Sequence, residues 1–245
     1  VVLLCADKLG LPFNDVLRYG EVESRVRYKE SVVELKLLLR SNRFKELRNF
    51  LVDIDMNEKS ELGYLKKYSV GIQKFVLDNN PQYALSLFLE LLDGKVSNSF
   101  EITCELFEFN NFDMFVLVTL IKILVDQNYL EKSQKILLHL IEQYYFDNKK
   151  LQLEVYILMI DSFILSKQFK EAYLYLNRAE LLIHNYGCNE FIKYTNFFRI
   201  IIHTHLNDKM ENKIQIRHAL FFCSDENSDP YDPYSIIYKY IENSK

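Results

Sequence analysis

Apolar residues recur at three- and four-residue spacing along almost the whole chain, and short polar knots separate the apolar stretches. The knots are SNR at 41–43, DNNPQ at 78–82, DQN at 126–128 and NDK at 207–209, all built from residues that end helices or form turns. This pattern predicts a succession of short helices joined by tight turns. Its best internal match sets residues 37–47 (LLLRSNRFKEL) against 163–172 (FILSKQFKEA). In both, an aromatic residue stands three positions before a small or aliphatic one: Phe44 before Leu47, and Phe169 before Ala172.

Such a match is the mark of a helical hairpin of the tetratricopeptide type. A small residue on the second helix lets it pack closely on the first, and the aromatic ring wedges into the hairpin. Anchoring on the small position gives Leu47, Ala84, Ser133, Ala172 and Lys213, spaced by 37, 49, 39 and 41 residues. These spacings exceed the roughly 34 residues of a regular array. Around Ala172, the residues Tyr156, Met159, Phe163, Phe169, Leu176 and Ala179 occupy the core positions of the repeat. Tyr68, Gly71, Phe75, Phe88 and Leu91 do so around Ala84, and Leu117, Leu120, Leu124, Leu137 and Leu140 around Ser133. The unit at Lys213 is degenerate, as a terminal repeat is. The long gap predicts a lengthened or added helix around 97–112. The expected fold is therefore all-α: tetratricopeptide-like helical hairpin repeats forming a curved right-handed solenoid, with an irregular helical bundle as the alternative.

The ends read differently. Residues 1–18 (VVLLCADKLGLPFNDVLR) predict a helix, a turn at 10–12 and a short second helix capped by Asn14. Residues 19–27 (YGEVESRVR) are polar and read as a linker, and 28–245 as the repeat domain. Beyond Cys223, SDENSDPYDPY is an acidic, turn-rich connection leading to a short helix around 235–242. The chain opens on Val rather than Met, which suggests a fragment without its N-terminal part.

The segment ADKLGLPFNDVLR resembles the end of a phage-repressor-like helix-turn-helix domain, in which an xADxLGL helix is followed by Pro and a short helix such as NDVLR. Such a domain joined to degenerate tetratricopeptide repeats resembles the peptide-pheromone-sensing transcription factors of Gram-positive bacteria, the Rgg, PlcR and PrgX group. Ser99, Phe100 and Glu101, then Phe112 and Asp113, are similar to an Rgg pattern in which the first three open a helix and the last two precede the next one. Phe107 stands where that pattern often has a polar residue, so the branch stays open. The resemblance implies a cytoplasmic quorum-sensing regulator, homodimeric through C-terminal helices, whose repeat domain (28–245) binds a short signalling peptide. Promoter DNA would be bound through the N-terminal domain of which 1–18 is the end. Residues 191–206 and 236–241 are apolar enough to serve the dimer.

Composition supports this picture. Six Gly and four Pro make about 4% of the 245 residues, against an ordinary share of roughly 12%, which disfavours an all-β fold and Gly-rich phosphate loops. A net charge of −4 leaves no global footprint for nucleic acid. Cys5, Cys104, Cys188 and Cys223 form no CxxC pair, so neither a zinc module nor a dense disulfide framework is expected. The apolar runs 115–125 and 155–165 are interrupted by Lys122 and Asp161 and are too short for a membrane span. No catalytic set, cofactor loop or metal site is expected. His203 and His205 are two apart, hence on different helix faces. Cys188 and His184 lie at a helix end, while Asp53/Asp55 and Asp229/Asp232 read as turn or capping residues.

The candidate binding residues are polar positions on faces that should turn inward. The first helix of each hairpin lines the concave surface, and its ninth repeat position is Lys36, Gln73, Lys122, Asp161 and Ile202. A charge inside an apolar run is expensive if buried and unpaired, so Gln73, Lys122 and Asp161 point to a wet groove, with Lys122 and Asp161 expected to pair when it is empty. Tyr194, Asn196, Arg199 and His203 add donors and acceptors near the same surface. An Asn amide pairs with both groups of an extended backbone, and Arg199 suits a carboxylate. The competing function is a helical-repeat protein–protein adaptor without DNA binding; a peptide-controlled phosphatase or phosphotransfer inhibitor is a third reading.

Overall fold

The computed structural model describes residues 13–41, 43–57 and 59–207. The N-terminal 1–12, the anchor Lys213, and everything predicted beyond 208, including the helix around 235–242, the pair Asp229/Asp232 and the segment 236–241, lie outside the described residues. All regular structure among the described residues is helical. Helix α1 spans Phe13–Arg40, α2 Glu61–Val76, α3 Pro81–Leu91, α4 Asn111–Asp126, α5 Leu130–Gln143, α6 Lys149–Leu165, α7 Phe169–Tyr186 and α8 Ile192–Asn207. An isolated antiparallel bridge joins Val96 and Ile102. The chain divides between Leu87 and Phe88 into two compact units.

In the first unit, α1 packs on α2 and on a 3-10 helix, Phe44–Asn49. Leu35, Leu38, Phe44, Leu47, Phe50, Leu65, Tyr68 and Ile72 are buried. The polar stretch 19–27, which reads as a linker, is helical and lies inside α1, since it holds no Pro and a single Gly, and Glu, Arg and Val are compatible with helix. One expectation is corrected here. The hairpin predicted over 37–47 is incomplete, because its second helix stops after the six residues of the 3-10 helix. There Leu51 takes a positive φ of 48°, and the Asp55 carboxylate accepts the Asn57 backbone N–H in a tight turn. Asp55 thus serves a turn as expected, whereas Asp53 reaches across to pair with Arg27 of α1.

The second unit carries the regular repeats. Ser133 and Ala172 are fully buried, as is Ala84 in the first unit, because a larger side chain there would hold the paired helices apart. The backbone repeats with them. Asn79, Asn128 and Lys167 all have left-handed φ values, of 48°, 62° and 60°, and each stands five residues before its anchor. In each turn an N–H just past that residue reaches back to a carbonyl near the end of the first helix, from Tyr129 to Leu124 and from Gln168 to Phe163. Helix α6 packs on α5 and α7, and α7 on α8. The first helices also meet one another: α4 contacts α6, and α6 contacts α8. Both α4 and α6 are buried over most of their length, with Phe163 stacked on Tyr175 at 5.5 Å between centroids.

The long gap before α4 is no added helix. Residues 95–110 form a loop built on the Val96–Ile102 bridge and a single 3-10 turn, Leu106–Glu108. Phe100 takes a φ of 63°, which a helix start at Ser99–Glu101 forbids. Helix α4 then opens with a reciprocal cap, Asn110 accepting from the Phe112 and Asp113 N–H groups and Asp113 from the Asn110 N–H. Lys95 closes the loop by pairing with Asp113.

Candidate functional site

The seven predicted binding residues fall in three places. Gln73 belongs to the first unit, where its amide donates to the Leu47 carbonyl at 2.8 Å and ties α2 to the preceding 3-10 turn. Lys122 and Asp161 lie on α4 and α6, two first helices in mutual contact. Tyr194, Asn196, Arg199 and His203 lie on α8.

The expected Lys122–Asp161 pair is not the one that forms. The Lys122 ammonium lies 3.3 Å from Glu154 on α6, and both side chains keep about a third of their surface exposed, at 35% and 38%. A lysine holds its stem against apolar surface and its ammonium in water, and Glu154 meets it there. Asp161, two helical turns further along the same face of α6, is 1% exposed. Its Oδ1 meets no hydrogen-bond donor among the described residues. Burial pushes its carboxyl up to about 8, and the negative charge of Asp126 adds to the rise. Asp126 sits one turn beyond Lys122 on α4 and accepts a hydrogen bond from Gln127. The contact of α4 with α6 thus carries a charged stripe that runs from a half-exposed, neutralised pair to a buried, uncompensated acid.

Glu154 and Asp126 were missed by the sequence reading, although spacing exposes both. Glu154 precedes Asp161 by seven and Asp126 follows Lys122 by four, the intervals that share a helix face.

On α8, Asn196, Arg199 and His203 follow at intervals of three and four and form one stripe. Arg199 is held by Glu180 of α7 through two hydrogen bonds, which raise its already high pKa, and the His203 ring meets Tyr173 of α7 edge to face at 5.5 Å. This stripe therefore engages α7. Asn196 is exposed, and Tyr194 is half-buried beside Phe191. The next histidine, His205, stacks on Phe169 at 4.2 Å, so the two imidazoles are held by different rings. Cys188 is buried with its thiol toward the Tyr186 carbonyl, and His184 is exposed. Among the described residues no group of three or more His, Cys, Asp and Glu is placed to hold a metal ion. No helix among them is long and apolar enough to cross a membrane.

No protein-family model and no curated protein sequence matches the chain. Its fold is similar to that of a protein of known structure, PlcR of Bacillus thuringiensis. The apo form matches with a TM-score of 0.64 and 16% identity over 86% of this chain and 78% of that one. PlcR in complex with the peptide PapR7 and DNA matches with a TM-score of 0.60 and 18% identity over 99% of this chain and 82% of that one. The chain is thus an all-α protein of PlcR-like, tetratricopeptide-type fold.

Proposed function

We propose that the chain is the sensing part of a cytoplasmic transcriptional regulator and binds a short signalling peptide along the first helices of its repeats. The observation that carries this reading is the contact between α4 and α6. Lys122 and Asp161 interrupt the apolar runs of these two helices, and a purely structural contact would be more stable without the buried, unsatisfied carboxyl of Asp161. The similarity to PlcR, a fold that in another protein holds a peptide and DNA, supports the same reading. The contacts assigned are Lys122 and Asp161, with Tyr194 and Asn196 on α8. Gln73, Arg199 and His203 already serve Leu47, Glu180 and Tyr173.

The active form in this reading is a homodimer. Its interface cannot rest on the apolar centre of α8, because Phe197, Phe198, Ile201 and Ile202 are buried within the chain itself, which leaves Ile192 and Leu206 as exposed apolar residues there. Light scattering at rising concentration should show twice the monomer mass; a constant mass near 29.3 kDa would remove the dimer from the proposal.

Peptide sensing is tested by anisotropy titration of an array of labelled synthetic short peptides, PapR7 among them. Saturable binding that unlabelled peptide competes away supports the reading. If no peptide binds while the protein is folded, the helical-repeat adaptor takes its place.

A further inference from the structure

Helix α1 has two apolar faces, and the first unit covers one of them. Ser31, Leu35 and Leu38 are buried where α1 packs on α2 and on the 3-10 helix Phe44–Asn49. Val26, Val33 and Leu37 lie on the opposite side of the helix and stay 48%, 67% and 55% exposed. Steps of seven and four residues keep these three in one stripe, which Glu30 interrupts at the matching position. Aliphatic residues scattered singly over a surface need no partner, but an aligned row of them marks a face that another element covers. The helix is also longer than its support. It runs 28 residues, about 42 Å, and of the side chains described from Arg25 onward none before Ser31 is buried. A helix in water draws most of its stability from a packed face, so this one gains from a second partner.

The charges beside the stripe are sorted by side. One flank is basic, with Arg25, Lys29 and Lys36. The other carries Glu30 and Glu34, and its Arg27 is engaged by Asp53. A second α1 laid antiparallel would set basic flank against basic flank. Laid parallel, each basic flank meets the partner's acidic one, with Lys29 beside the partner's Glu34, as the flanking positions of a two-stranded coiled coil do. Glu30, inside the stripe, stands next to the partner's Lys29 in the same register. A single charged residue in such a seam lowers affinity and fixes the register.

From this self-complementary face we infer that α1 pairs in parallel with α1 of a second copy of the chain, as a short two-stranded coiled coil along Val26, Glu30, Val33 and Leu37. The inference rests on the homodimer of the reading above and names its interface, which the apolar centre of α8 cannot supply. The buried face of α1 points the other way, so the stripe stays open to a second helix.

The test is sedimentation velocity of the full chain over a wide range of concentration. Val33→Glu puts a charge into the seam from both protomers and should raise the dimer Kd by about a hundredfold or more. Val33 is exposed, so the helical content of the variant should not change. Glu30→Leu should tighten the dimer by about tenfold. Lys29→Glu and Glu34→Lys should each weaken it by about tenfold, and the two together should restore most of the loss, a recovery that a folding defect cannot imitate. In a Val33→Cys variant, mild oxidation should give a covalent dimer joined at position 33 of both chains, because parallel register sets these positions side by side. A dimer whose Kd is unmoved by Val33→Glu, or single charge reversals that the double exchange does not rescue, overturns the inference and leaves the homodimer to another surface. A chain that stays monomeric at every concentration overturns the inference and the homodimer together, while peptide sensing stands or falls by the peptide titration.

Discussion

Lys122 and Asp161 occupy equivalent positions on neighbouring first helices, each breaking an apolar run, and the two sites have opposite fates. Lys122 is 35% exposed and shares an ion pair with Glu154, which is itself open to water. Asp161 is closed off at 1% exposure, with one oxygen unsatisfied and an acid as its charged neighbour. Part of the difference lies in the side chains. Four methylenes let a lysine carry its charge out of an apolar contact, whereas an aspartate keeps its carboxyl one bond from Cβ and stays where the helix puts it. The rest lies in the neighbours, because α6 is packed by α5 and α7 and also touched by α4 and α8. A repeat position fixes where a residue attaches, and the surrounding helices fix whether its charge is tolerated.

The largest effect that would break this contrast is at Asp161. A carboxyl that titrates near 8 when folded and at about 3.8 when unfolded holds an extra proton in the native state between those values. Stability contributed by the neutral acid is therefore present below about pH 4, falls as pH rises toward 8, and levels off beyond. Asp161→Asn should flatten that slope, raising stability at pH 8 by about 1–3 kcal/mol and changing it little near pH 4. Melting curves of the two proteins from pH 4 to 9 decide the matter, and parallel profiles would mean that Asp161 is not the buried acid described here.

A smaller effect belongs to its neighbour. Asp126→Asn removes the second cause of the raised Asp161 carboxyl and should add about 0.5–1 kcal/mol at pH 8. The gain should vanish in an Asp161→Asn background, and a double-mutant cycle by urea unfolding measures that coupling directly. Additive effects would show that the two acids do not interact.

The smallest effect is at Lys122. Its pair with Glu154 is a third exposed on both sides, so Lys122→Met should shift stability by no more than about 0.5 kcal/mol at any pH between 5 and 9. A loss of several kcal/mol would make Lys122 as buried as Asp161 and erase the contrast.

The hairpin register shows how much of this was legible in the sequence. Ala84, Ser133 and Ala172 were readable as anchors because a small residue at a fixed offset from apolar ones leaves a trace in one dimension, and all three are fully buried. Lys167 was not readable as a left-handed turn residue, since Lys carries no preference for that conformation while Asn128, its equivalent, does. The loop at 95–110 was misread for a related reason: the long gap between anchors suggests added helix, but the Val96–Ile102 bridge and the left-handed Phe100 depend on contacts along the loop rather than on residue type.

For the candidate site, the sequence by itself determined that Lys122 and Asp161 interrupt apolar helices at matching positions, because periodicity alone places them on the faces that other helices must cover. It could not determine their partners. Which acid meets Lys122, and that another acid lies beside Asp161, depends on the offset at which α4 and α6 lie against each other, and that offset is set by the packing of side chains from both helices and from their neighbours α5 and α7. Electrostatic energy varies with distance and burial, and a helical period carries neither.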